Sequence, residues 1–275
     1  MITFPNCKVN LGLRIVARRN DGFHDLETIF LPIPFEDCLE VERSKDSTTL
    51  TVSGLPIEGA LDNNLCMKAY MLLKSKFDLP PVDINLHKQI PTGAGLGGGS
   101  SNAAFMLKML NDKFNLQLTA SVLIEFASQL GSDCAFFILN TPCVGSGRGE
   151  VLDPIELPQL HGMFGILVMP GIHVSSAWAF QQITAHPPAK KIREIIASPI
   201  ENWRTELEND FETPVFNIHP ALKGIKEQLY ASGALYASLT GSGSALFGLF
   251  KELPSITFPP DYLVKSFELL PKERE

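Results

Sequence analysis

Apolar and polar residues alternate from Lys8 to Ile15, and again through "CLEVER" (residues 38–43) and "TTLTVS" (48–53), at the period of two that marks a strand with one buried face. "NNLCMKAYMLLKSKF" (63–77) instead carries the broad apolar face of a helix. "PVDINLHKQI" (81–90) returns to alternation, with Val82, Ile84, Leu86 and the stem of Lys88 on one side, and Pro91 ends it because it has no N–H for a ladder. A strand therefore feeds the glycine-rich stretch that follows, and "SSNAAFMLKML" makes that stretch feed a helix. A further helix is predicted over "TASVLIEFASQLG" (119–131), with Thr119 as its N-cap and Gly131 as a left-handed stop. The buried segment "SDCAFFIL" comes next, and Asp133 stands at the junction.

From 141 to 158 the composition shifts to Gly, Pro and charge, which predicts a boundary and two domains, 1–150 and 151–275. The second half reads as strand ("GILVMP"), a helix near 175–183, a Pro- and Lys-bearing connector to about Ser198, a helix over "HPALKGIKEQLYASG" and then "ALYASLTGSGSALFGLF". The class is mixed α and β, without solenoid repeats.

Composition narrows the function. The chain has 275 residues, 45% of them hydrophobic, enough for one large core or two ordinary ones. Its net charge is -7 and it has no long basic run, which argues against nucleic acid or an anionic membrane as the main partner. Apolar runs such as "MFGILVM" are too short to span a bilayer, and "MITFPNCKVN" lacks a signal pattern, so the expected setting is cytoplasmic. Five scattered cysteines, without ligand spacing, predict reduced thiols rather than disulfides or zinc.

The chemistry concentrates in "PTGAGLGGGSSNAA" (91–104). Its letters fit G-x-G-x-x-G at Gly93, Gly95 and Gly98, but the second strand and acidic residue of a dinucleotide site, about 20 residues on, are missing. A Walker A loop would need Gly-Lys-Ser/Thr, and here the glycines run straight into Ser100 and Ser101. What remains is a polyanion cradle: glycines bring backbone N–H groups close, and the helix presents its positive end. A flexible connector has no reason to sit between a strand and an apolar helix.

Other residues bear chemistry by type and place. Asp133 reads either as a proton acceptor in a dry setting or as a helix C-cap or structural ion-pair partner. Lys8 lies on a strand expected to be half-buried, an unusual place for an ammonium, with Asn10 on the same face. Asp21-Gly22 makes a turn that throws out Phe23 and His24, a stacking surface and an edge-reading group suited to a base. His161, His173, His186 and His219 have no metal-site spacing.

With these residues in view, Pro91-x-Gly93-Ala94-Gly95-Leu96-Gly97-Gly98-Gly99-Ser100-Ser101 resembles the phosphate loop of the GHMP kinase superfamily, which includes galactokinase, homoserine, mevalonate and phosphomevalonate kinases. "CKVNLGLRIVARRNDGFHDLETIF" (7–30), "LGSDCAFFI" (130–138) and "LTGSGSALFGLF" (239–250) resemble the motifs of its cytidine-reading branch in the methylerythritol phosphate route to isoprenoids. That branch usually has Tyr where this chain has Phe23, and Pro-Ala-Lys where it has Asn6-Cys7-Lys8.

The resemblance implies a two-domain α+β fold, with an N-terminal domain like ribosomal protein S5 domain 2, a ferredoxin-like α/β-plait C-terminal domain, and the active site in the cleft between them. It implies ATP with Mg²⁺ and a cytidine diphosphate-linked sugar alcohol as small-molecule substrate. Asp133 would take the proton and Lys8 would pair with it. Residues 91 and 93–101 would hold the phosphates, and Asn64 would lie near adenine, though a helix N-cap reads the same. Asn10 would line the substrate pocket, with Phe23, His24 and Phe180 around the cytosine; Trp178 competes with Phe180. Thr240, Gly241, Ser242 and Gly243 would close over the substrate's phosphates, though a hairpin turn has the same letters. A homoserine- or mevalonate-type kinase explains the loop but leaves Phe23 and His24 without a purpose. A nucleotide sensor that has lost turnover predicts loss of Lys8 or Asp133. The sequence names no metal ligands and no oligomeric state.

Overall fold

The computed structural model describes residues 1–57 and 59–269. In chain order its strands and helices are β1 (Ile2–Thr3), β2 (Asn6–Arg18), β3 (His24–Glu36), β4 (Cys38–Arg43), β5 (Thr49–Gly54), α1 (Leu65–Lys74), β6 (Val82–Lys88), α2 (Gly98–Lys113), α3 (Ala120–Leu130), α4 (Cys134–Leu139), β7 (Cys143–Ser146), β8 (Val151–Pro154), β9 (Met163–Met169), α5 (Ser176–Gln181), α6 (Ile192–Ile196), α7 (Ile200–Glu206), α8 (Glu212–Ile218), α9 (Pro220–Ala231), β10 (Tyr236–Leu239), β11 (Leu246–Phe250) and β12 (Leu263–Leu269). They form two compact units, each discontinuous in sequence. One comprises residues 1–7, 35–92 and 97–141; the other comprises 8–34, 93–96 and the chain from Pro142 onward.

The first unit has a sheet of order β1-β4-β6-β5, antiparallel except for the parallel β5/β6 pair, with α1, α2, α3 and α4 packed among themselves. The alternation of β6 is realised: Val82, Ile84, Leu86 and Lys88 are all buried. Lys88 puts a charge where the pattern expects an apolar residue, and Asp37 meets it. The Lys88 ammonium contacts Asp37 Oδ2 and donates to Asn102 Oδ1 at 3.1 Å. Asp37 also accepts from the backbone N–H of Gln89 at 2.7 Å and Ile90 at 2.9 Å and from Asn102 Nδ2 at 2.9 Å. Removing Lys88 or Asp37 alone would leave a buried charge uncompensated, at a cost of about 3–5 kcal/mol. The network ties the end of β6 to the second turn of α2, and so fixes both ends of the glycine loop.

Two local expectations change. Thr119 caps α3, its Oγ1 accepting from Val122 N–H at 3.4 Å, but Gly131 ends the helix with φ 169°, extended rather than left-handed. The reason is that the chain starts α4 after only two more residues, with Cys134 N–H bonded back to Gly131 O at 3.1 Å. The connector before Ser198 also contains α6, whose Ile192, Ile195 and Ile196 are buried at helical spacing too brief to stand out between prolines.

The second unit has two four-stranded sheets, β2-β3-β7-β8 and β10-β11-β9-β12. All pairs in the latter are antiparallel, and counting from β9 the strands lie in the order 2-3-1-4, the arrangement of an α/β plait. Its core joins Ile166, Val168, Leu239, Leu246 and Phe250 with Leu222, Ile225 and Leu229 of α9, and each such side chain contributes about 1.5–3 kcal/mol on burial. In β2 the expectation of one wet face fails, since Asn6–Leu13 is buried on both sides. Lys8 and Asn10 therefore sit on a covered polar face.

Candidate active site

Glycine shapes the loop in three successive places: Gly93, Gly95 and Gly97 have φ of 72°, 81° and 70°, a region that a side chain disfavours. Gly97 is the N-cap of α2, and the first helical bond runs from Ser101 N–H to Gly97 O at 2.9 Å. The N–H groups of Gly98, Gly99 and Ser100 thus precede any intrahelical acceptor and stand at the positive end of a 16-residue helix. A Cβ on Gly98 would lie 2.8 Å from Ile90 Cγ2, so glycine also lets the helix start close against the strand end. Ser101 Oγ is buried and has no hydrogen-bond partner among the described residues. A dry hydroxyl of this kind fits an incoming oxygen ligand. Ser100 is hydrogen-bonded to Cys134, whose thiol burial pushes up to about 11. Asn64 caps α1, its Oδ1 accepting from Cys66 N–H at 2.8 Å.

The second glycine-rich segment, Thr240 to Ala245, is the turn between β10 and β11. It meets the start of the phosphate loop. Ala245 N–H donates to Ala94 O at 3.1 Å, and a Cβ on Gly95 would fall 2.0 Å from Thr240 O. Beneath it, Lys8 is 3% exposed; its Nζ donates to Asn10 Oδ1 at 2.6 Å and lies 5.4 Å from the centre of the Phe30 ring. The reading of Lys8 as a snorkelling surface lysine is removed. Asn10 Oδ1 also accepts from Gly241 N–H at 2.9 Å, and its Nδ2 donates to Thr28 Oγ1 at 3.0 Å. Its amide is spent inside the protein, so it acts on the turn and on Lys8 before anything else.

In the hairpin joining β2 to β3, Gly22 has φ 85° and Arg19 N–H bonds Phe23 O at 2.8 Å. Asp21 Oδ1 accepts from Phe23 N–H at 3.1 Å, which holds that carboxyl below its ordinary range. Phe23 is 53% exposed, with the Arg148 guanidinium 5.0 Å from its ring centre. The His24 ring stacks on Phe180 at 5.3 Å and 21°, and Phe180 meets Phe211 edge-on at 4.9 Å. The structure thus gathers His24 and Phe180 into one stack, and both Phe180 and Trp178 pack against the plait core. Sequence reading missed Arg148, whose only signal is its place in the glycine-flanked turn "GSGRGE".

Asp133 precedes α4, half-buried, and makes no capping bond to it, while Gly131 ends α3. The helix C-cap alternative for Asp133 is therefore removed; the residue takes the N-cap position of α4 instead. Cys134–Ile138 behind it are all buried. Among the described residues no cluster of three or more His, Cys, Asp or Glu is placed to hold a metal ion.

Residues 64–141 match the family described as GHMP kinases N terminal domain, and residues 189–256 match GHMP kinases C terminal. A 4-diphosphocytidyl-2-C-methyl-D-erythritol kinase of Bacteroides fragilis is 52% identical over 260 residues, covering 94% of each chain. One of Porphyromonas gingivalis is 48% identical, covering 93% of this chain and 94% of its own. A crystal structure of 4-(cytidine 5'-diphospho)-2C-methyl-D-erythritol kinase superposes with a TM-score of 0.77 at 33% identity, over 90% of both chains. The mevalonate kinase of Methanococcus jannaschii, at 16% identity and a TM-score of 0.67 over 91% of this chain and 90% of its own, shares the fold. With near full-length identity of about half to the cytidine-linked kinases, this chain belongs to the 4-diphosphocytidyl-2-C-methyl-D-erythritol kinase family of GHMP kinases.

Proposed function

We propose that this chain transfers the γ-phosphate of ATP to the 2-hydroxyl of 4-diphosphocytidyl-2-C-methyl-D-erythritol, yielding ADP and the 2-phosphate, a step of the methylerythritol phosphate route to isoprenoid precursors. The observation that carries this reading over a homoserine- or mevalonate-type activity is the stack of His24 on Phe180, which joins the β2–β3 hairpin to α5, with the exposed Phe23 next to His24 in the chain. An alcohol without a base has no use for such a surface.

In this reading residues 1–150 supply the ATP side and 151–275 the substrate side, with the β2–β3 hairpin serving the latter. Asp133 takes the proton of the attacking hydroxyl as it bonds to phosphorus. Lys8, pointed by Asn10, orients that oxygen and offsets the negative charge that develops on it. The N–H groups at the start of α2 and the loop from Pro91 through Gly93–Ser101 hold the phosphates, and Asn64 borders the adenine. Thr240, Gly241, Ser242 and Gly243 enclose the substrate's own phosphates. Mg²⁺, when bound, would supply further charge neutralisation on the transferred phosphoryl group, and the Ser101 hydroxyl, unpartnered among the described residues, would fit a place among its oxygen ligands. Direct in-line transfer needs no phosphoenzyme. No helix among the described residues is long and apolar enough to cross a membrane, and we assign the enzyme to the cytoplasm.

The test is ADP release by the purified chain with ATP and Mg²⁺, offered the cytidine-bearing alcohol, the same alcohol without its cytidine, homoserine and mevalonate. Turnover confined to the first is expected. Turnover with another alcohol would discard the base site, and tight ATP binding without any turnover would favour a sensor.

A further inference from the structure

A buried amide ahead of α8 holds the second glycine-rich turn. The segment 208–210 runs beside β2: Leu13 N–H donates to Glu208 O at 2.9 Å, Asp210 N–H to Leu13 O at 2.9 Å, and Ile15 N–H to Asp210 Oδ2 at 2.7 Å. This alignment sets Asn209, 3% exposed, against the turn. Its Nδ2 donates to Leu239 O at 2.8 Å and to Gly241 O at 2.9 Å, and its Oδ1 accepts from Phe211 N–H at 3.0 Å. Both amide hydrogens thus go to carbonyls, one at the end of β10 and one in the turn. Gly241 is pinned from its other side as well, because its N–H bonds the Asn10 oxygen that receives Lys8.

We infer that Asn209 is a positioning residue for phosphoryl transfer: it fixes the carbonyl side of Gly241 and so, through the Gly241–Asn10–Lys8 chain, the geometry of the turn and the direction of the Lys8 ammonium. The inference rests on the reaction proposed above. Only a neutral amide satisfies the site. An Asp of the same size would keep the acceptor for Phe211 N–H and set carboxylate oxygen against two carbonyls, while a Ser would not span them.

The experiment compares Asn209→Asp with Ser238→Ala in the full chain. Ser238 is buried one residue before Leu239; its hydroxyl bonds Glu212 Oε1 and Leu239 O, each at 3.1 Å, so it shares the Leu239 carbonyl with Asn209 and leaves the Gly241 carbonyl to Asn209. Asn209→Asp is expected to lower kcat with the cytidine alcohol about tenfold or more and to raise its KM, with the KM for ATP within about twofold. Ser238→Ala is expected to lower the unfolding midpoint and leave all three constants alone. Wild-type kinetics in folded Asn209→Asp would overturn the inference. Hydrogen exchange on the unaltered protein decides the matter even if that variant does not fold. The Phe211 amide, which donates to Asn209 Oδ1, and the Gly241 amide should both exchange slowly without ligands; exchange of either at the rate of an open loop, slowed only by the alcohol, would contradict a preformed turn held by Asn209. Lack of wild-type turnover strikes the reaction proposed above and leaves the exchange result standing, so the two failures are distinguishable.

Discussion

Gly93–Ser101 and Thr240–Ala245 look alike as letters, both rich in glycine and serine, yet their backbones end differently. The first runs into α2 with the N–H groups of Gly98, Gly99 and Ser100 ahead of any helical acceptor and with the Ser101 hydroxyl unpartnered among the described residues. The second is a closed turn between antiparallel strands. Thr240 N–H bonds Ala245 O at 3.0 Å, Gly243 N–H bonds Thr240 O at 3.0 Å, and the N–H and carbonyl of Gly241 are taken by Asn10 and Asn209. In one turn glycine leaves donors open for an anion; in the other it permits backbone to approach backbone. Composition alone does not distinguish the two uses.

The comparison is sharpened most by a variant that spares both turns. Asp133→Asn should lower kcat by about 10²-fold or more, as for a lost general base, with ATP binding measured by calorimetry nearly unchanged. Normal turnover would remove Asp133 from the chemistry. Next comes Gly95→Ala, which strikes where the turns meet: φ is 81° and the new Cβ would lie 2.0 Å from Thr240 O. A stability loss of about 3 kcal/mol or more in urea unfolding is expected, with kcat/KM reduced for both substrates. Gly97→Ala strains only the first turn, whose φ is 70°, at about 1–2 kcal/mol for a left-handed residue. It should raise the KM for ATP more than that for the alcohol, and equal effects would erase the distinction between the turns.

The smallest effect concerns the thiol beside Ser100. Burial raises the Cys134 pKa from 9.0 to about 11, so the fold holds the neutral form. The associated stability is fully present below pH 9, where the unfolded thiol ionises, and is lost as pH rises through about 11. At pH 8 iodoacetamide should leave Cys134 unlabelled in the folded protein, read by peptide mass; rapid labelling would mean that α4 opens readily.

Much of this was legible in the sequence because local periodicity and glycine placement carry it. Alternation marked β6, the Thr119 cap marked α3, and the glycine stretch marked the strand-to-helix turn. What was not legible depends on partners far along the chain. Lys88 showed its apolar stem but not Asp37, 51 residues away, or Asn102. Lys8 and Asn10 shared a face by spacing, but nothing local revealed that Thr240 and Gly241 cover it. His24 and Phe180 were both named for a base, yet their stacking on each other arises from tertiary packing. Asn209 in "ENDF" reads as an ordinary turn residue until the strand beside it is known.

The most direct test of the proposed reaction is the site of the new phosphate, read by proton-coupled ³¹P NMR of the product made from ATP and 4-diphosphocytidyl-2-C-methyl-D-erythritol. C2 of that alcohol carries no hydrogen, so transfer to the 2-hydroxyl predicts a phosphomonoester singlet. A doublet or triplet would place the phosphate on a carbon that bears hydrogen and contradict the proposed acceptor.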